Sequence, residues 1–170
     1  MAAYKEIVIN ELMVDPTNSK LPQQEYIEIW NRSEKSFNLQ DYSLQNPNTI
    51  AKLPKFTLEP QHYLIFCRSA DTALFKPLGN TLGISPIISL VNTESTITLK
   101  NKEGNLVDLV HYTDKFYQDS QKKNGGWSLE LINPDLACQF DGNWIASNSE
   151  MGGTPGKQNS VLNKNQIPQI

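Results

Sequence analysis

The chain has 170 residues, 38% of them hydrophobic and 19% charged, with a formal net charge of −3. That length fits one domain with a real core, and the composition is that of a folding chain, not a disordered or fibrous one. The fifteen basic residues are scattered, which argues against nucleic acid as a partner, and no apolar run approaches the roughly 20 residues that a membrane span requires.

Taken in chain order, short stretches of period-two alternation recur between turn signals, and no 3.6-residue apolar stripe persists, so the chain reads as all-β. In "YKEIVINELMV", strict alternation places Ile7, Ile9 and Glu11 on one side of a first strand and Val8, Asn10 and Leu12 on the other. "EYIEIWN" sets Tyr26, Glu28 and Trp30 against Ile27 and Ile29, and the two strands are expected to pair. "FNLQDYSLQN" carries a bend centred on Asp41, and the nearly continuous apolar run "HYLIFC" predicts a central strand. Residues 69–90 form the main irregular connection, with one short helical turn near 70–76 capped by Ser69 or Asp71 and stopped by Pro77. "STITLKNKEGNLVDLVHY" predicts a hairpin in which Gly104 supplies the positive φ of the loop. "GWSLELIN" gives a further strand. Seven to nine strands at this spacing predict a two-sheet β-sandwich.

Few residues point to chemistry. Glu11, Asp15, Glu25 and Glu28 lie close in sequence and are the weak candidates for a metal site or a small metal-dependent hydrolase. Their spacing lacks a calcium-loop pattern and no glycine bends a loop around an ion, so exposed strand and loop acids are the plainer reading. His62 and His111 sit in strand patterns away from any nucleophile context, and no nucleophile elbow, metalloprotease motif or phosphate loop is present. "GGTPG" has no following lysine–serine pair and leads into no helix, so it fails as a phosphate cradle. No catalytic residue and no cofactor is expected. Cys67 and Cys138 are a candidate disulfide if the protein is exported, and "NRS" at Asn31 matches a glycosylation sequon.

The closing stretch "NWIASNSEMGGTPGKQNS" poses the sharpest choice. Trp144 is either an exposed platform for a sugar or a buried closure of the sandwich edge, with the glycines turning the chain away. Closure is the favoured expectation, because large aromatics contribute most when buried.

Three segments together resemble the lamin tail domain family, an immunoglobulin-like β-sandwich. "VINELMVDP" resembles its first strand, with Asn10 and Glu11. "EYIEIWNRSEKSFNLQDYSL" resembles its most recognisable stretch, in which Glu28 leads to Asn31. The segment from Trp127 through Trp144 to Pro155 and Gly156 resembles the closure of bacterial members. The resemblance implies structural roles for these residues and a non-catalytic module. It also implies a protein or glycan partner and attachment to an exported, cell-surface or periplasmic bacterial protein. A sandwich over residues 4–160, with residues 161–170 as a linker or disordered tail into a larger multidomain protein, is the expected organisation.

Overall fold

The computed structural model describes residues 1–136 and 141–165. Its strands are β1 (Ile7–Met13), β2 (Tyr26–Asn31), β3 (Phe37–Asn38), β4 (Ser43–Gln45), β5 (Ile50–Lys52), β6 (Thr57–Leu58), β7 (Tyr63–Arg68), β8 (Thr81–Ile84), β9 (Glu94–Lys100), β10 (Leu106–Thr113), β11 (Leu129–Leu131) and β12 (Trp144–Ala146). A six-stranded sheet runs β12-β11-β1-β2-β7-β8, a four-stranded sheet runs β10-β9-β4-β5, and β3 pairs with β6. All pairings are antiparallel except β7 with β8. This is an immunoglobulin-like β-sandwich. The twelve strands among the described residues exceed the seven to nine expected because several are only two or three residues long, too short to show a period-two pattern.

Residues that alternate inward from both sheets make one core: Ile9, Ile29 and Leu64 from the larger sheet meet Leu44, Ile97 and Leu99 from the smaller. The start of β1 stitches the layers together, since the Lys5 amide donates to the Val107 carbonyl at 2.7 Å and the Ile9 amide to Asp108 Oδ2 at 2.7 Å. Lys5 Nζ also pairs with Asp108 Oδ1 at 2.7 Å, with both side chains nearly out of solvent. Burial raises the Asp108 carboxyl above its ordinary range, and the Lys5 charge opposes that shift.

The central strand, the hairpin and the bend are where the residue pattern puts them. β7 lies between two neighbours, Gly104 has φ 86° in the β9–β10 loop, and Asp41 has φ 65°. The helical turn is a 3-10 turn at Ser69–Asp71 followed by α1 (Thr72–Phe75). Asp71 precedes α1 without a side-chain capping bond and pairs with Arg68 Nε at 2.8 Å instead.

Two local expectations are corrected. The connection over 69–90 contains β8, and Gly83 allows it, since a Cβ there would sit 2.6 Å from the Ser69 Cα. In β1 the pairing with β2 slips between Ile9 and Glu11, a bulge at Asn10. The extra residue breaks strict alternation, so Asn10 and Glu11 both turn to the outer face while Leu12 rejoins the core with Ile9.

Candidate functional site

The bulge sets up the most unusual chemistry in the molecule. Glu11 lies opposite Glu28 of β2 on one side and Glu130 of β11 on the other, and in antiparallel pairs such partners share a face. All three glutamates are fully buried. Like charges directly opposite destabilise a sheet and burying a carboxylate costs more, so something must compensate. Among the described residues no lysine, arginine or histidine is bonded to them; the compensation comes from neutral donors.

Most of those donors arrive from residues 149–161, a segment that crosses the outer face of the six-stranded sheet. Glu11 Oε1 accepts from Tyr26 Oη at 2.6 Å, Ser128 Oγ at 2.6 Å and the Thr154 amide at 2.8 Å. Glu28 accepts from Asn10 Nδ2 at 2.9 Å and from the Gly156 amide at 2.5 Å. Glu130 accepts from Thr154 Oγ1 at 2.9 Å, Ser160 Oγ at 2.7 Å and the Val161 amide at 3.2 Å. Asn159 completes the clasp, its amide donating to the carbonyls of Asn10 and Leu131, each at 2.9 Å, and accepting from Asn10 Nδ2 at 2.8 Å. The "TPG" sequence matches this geometry, because Thr154 and Gly156 aim their amides at two different carboxylates while Pro155 between them has no N–H to leave unpaired.

Electrostatics follow from the crowding. Burial, then the charge of Glu130, raises Glu11 to about 7. Burial, then the charge of Glu11, lifts Glu28 well above the usual carboxylate range. The Tyr26 hydroxyl is pushed well up by burial and by Glu11, and Tyr63 up to about 12 by burial and by Glu28.

The four acids singled out in the sequence do not converge. Glu11 and Glu28 join Glu130, whereas Asp15, accepting from the Thr17 amide at 3.0 Å, and Glu25, accepting from the Leu90 amide at 3.1 Å, lie apart from that group but near each other, so that burial and then the Asp15 charge raise Glu25. Among the described residues no group of acids, histidines or cysteines has the geometry to hold a metal ion. Two surface hollows lie away from the triad. One of about 400 Å³ is bordered by Ser36, Asn38, Gln40 and Lys102, and one of about 310 Å³ by Gln23, Gln24, Glu25 and Arg68. His62 and His111 are exposed; their ring nitrogens contact the Pro60 carbonyl and Thr96 Oγ1.

The remaining residues singled out in the sequence fall into structural positions. Asn31 is buried, and its amide donates to the carbonyls of Lys35 at 2.7 Å and Glu59 at 3.0 Å, so the folded chain offers no acceptor nitrogen to a glycan. Trp144 lies opposite Leu131, fully buried in the main core. Trp127 packs at the edge of that core beneath the Lys122 ammonium, 4.6 Å from its ring. Cys67 is buried on the outer face with Ile65 and Phe75, its thiol pushed up to about 11 by burial and by Asp71. The expected bridge to Cys138 lies outside the described residues. Residues 161–163, assigned to the linker by the sequence, still make backbone bonds, including Asn163 N to the Ile132 carbonyl at 2.9 Å.

The family model of the lamin tail domain matches residues 1–114. The chain belongs to the lamin tail domain family. A comparison with curated proteins finds no match. In this lamin tail domain the matched residues include Glu11 and Glu28, but Ser128, Glu130, Thr154, Gly156, Asn159 and Ser160 all lie beyond them. The segment after the match therefore completes the sheet and covers acids that the match contains.

Asn159 and Ser160 were not singled out by the sequence, and Ser128, Glu130 and Thr154 entered only through the resemblance of the closing segment, with no role attached. "LEL" at 129–131 does place Glu130 on the outer face, but an outward glutamate is ordinary until something covers it.

Proposed function

We propose that this lamin tail domain is a non-catalytic module, spanning residues 4–160, that contacts a protein or glycan partner as part of an exported or cell-surface bacterial protein. The observation that carries the non-catalytic reading is the sealing of the one convergent group of acids found among the described residues. Glu11, Glu28 and Glu130 accept hydrogen bonds from donors of their own chain and are buried beneath residues 149–161, out of reach of a substrate. A general acid or nucleophile must be able to reach the reacting atoms. Membership of the family supports a module. The resemblance of the closing segment to bacterial members supports the exported setting. Recognition is assigned to the loops and surface hollows that the rigid frame presents to solvent.

Ester, phosphate and glycoside substrates, offered with and without divalent ions, should be turned over at background rates. A rate above background that Glu28→Gln abolishes would overturn the reading.

A further inference from the structure

We propose that residues 149–161 are a proton-held strap: the segment stays seated while the Glu11, Glu28 and Glu130 group keeps a proton, and it lifts off the sheet when mildly alkaline conditions remove that proton. This goes beyond the module's role in binding and does not depend on it.

The geometry shows where the proton belongs. Thr154 Oγ1 lies 2.9 Å from Glu130 Oε1 and 3.3 Å from Glu11 Oε2. A hydroxyl has one hydrogen to give. If it serves Glu130, the longer contact places a hydroxyl oxygen against a carboxylate oxygen unless Glu11 supplies the hydrogen itself. A proton on Glu11 Oε2 completes the chain from Glu11 through Thr154 to Glu130. Glu11 Oε1 is already satisfied by three donors, so the free oxygen is the one facing Thr154.

Every element packed against the group supplies it with neutral or acidic side chains. β1 gives Glu11, β2 gives Tyr26 and Glu28, β11 gives Glu130, β7 gives Tyr63, and the strap bonds through Thr154, Gly156, Asn159 and Ser160. Lys157, the strap's lysine, is exposed, and no ion pair among the described residues reaches the triad. The third ionisation therefore finds no cation to answer it under a dry cover. Lifting the strap hydrates all three carboxylates at once, and the core beneath is untouched because Trp144, Leu131 and Ile9 face the other way.

The sign is that of a group raised in the closed state. Closure is favoured fully below the ordinary carboxyl pKa of 4.5 and is lost as pH rises through about 7. Counting the Glu11 proton alone, the equilibrium for closure falls roughly thirty-fold between about pH 5.5 and about pH 8.5.

Amide hydrogen exchange of the full chain, followed by NMR and corrected for the intrinsic rate at each pH, reads this directly. The amides of Thr154 and Gly156 should lose protection by roughly thirty-fold across that range, while those of Ile29 and Leu64 in the sheet centre keep theirs. Glu11→Gln, which holds its hydrogens at any pH, should flatten the profile. Strap protection that is constant with pH in the unmodified chain, or that falls only in step with Ile29 and Leu64, would overturn the proposal. So would a Glu11→Gln variant that folds and still shows the full loss. If that variant does not fold, the profile of the unmodified chain decides.

Discussion

Replacing Trp144 by alanine tests whether the closing strand is structural. The indole lies on the core side of β12, opposite Leu131, with no measurable exposure. Its Nε1 has no hydrogen-bond partner among the described residues, so truncation forfeits apolar burial and packing but no polar bond. A buried aromatic removes about 150–250 Å² from water, and excavating a tryptophan costs about 3–5 kcal/mol once the cavity is included. With a urea slope of about 2 kcal/mol per molar, the unfolding midpoint should drop by about 2 M. Trp144→Phe keeps most of the ring and removes an unpaired buried donor, so it should cost about 1–2 kcal/mol. Urea melts followed by far-ultraviolet circular dichroism give both numbers. An unchanged midpoint for Trp144→Ala would refute the closure and return the indole to a ligand-binding role.

Two further substitutions probe contacts that hold the layers and the strap. Gly153→Ala would bring a Cβ to 2.6 Å from both Glu11 Oε1 and Tyr26 Oη, so it should cost about 1–3 kcal/mol in a thermal melt; wild-type stability would mean the strap sits higher than described. Asp108→Ala strands the nearly buried Lys5 ammonium and the Ile9 amide, and should cost about 3–5 kcal/mol, against a smaller loss for Asp108→Asn; equal and small losses in both would show that the Lys5 pair contributes little.

Much of the fold was legible because it rests on local rules. Alternation marked β2, β9 and β10, a nearly continuous apolar run marked β7, and a glycine between apolar runs marked the hairpin loop. β8 was missed because "TLGI" is short and holds a glycine, and its reason for being a strand is the parallel partner β7 rather than its own pattern. The face of Glu11 was misassigned for a sharper reason. Alternation is a rule about regular ladders, and one extra residue at Asn10 reverses the faces of everything after it. Nothing in "VINELM" marks a bulge, since Asn10 and Glu11 are equally polar and either could point outward.

The glycines of "GGTPG" show why the site itself was the least legible part. Gly152 and Gly156 have φ of 90° and 82°, where L side chains are strained, and turn residues of that kind are what the sequence leads one to expect. Gly153 has no positive φ, and nothing about its backbone excludes a side chain. What excludes one is the surface beneath it, the Glu11 carboxylate and the Tyr26 hydroxyl, contributed by residues far earlier in the chain. The three glycines look alike in the sequence, yet Gly152 and Gly156 are fixed by their own dihedral angles as well as by the close Gly126 and Leu78 carbonyls, and Gly153 by a distant pair of polar atoms alone. Their sequence signal is a turn, while the physical constraint at Gly153 is close approach. Reading that constraint requires knowing that Glu11 faces outward, which depends in turn on the bulge at Asn10. The corner inferred from the sequence and the lid seen in the structure are thus the same segment, joined by one irregular residue in the first strand.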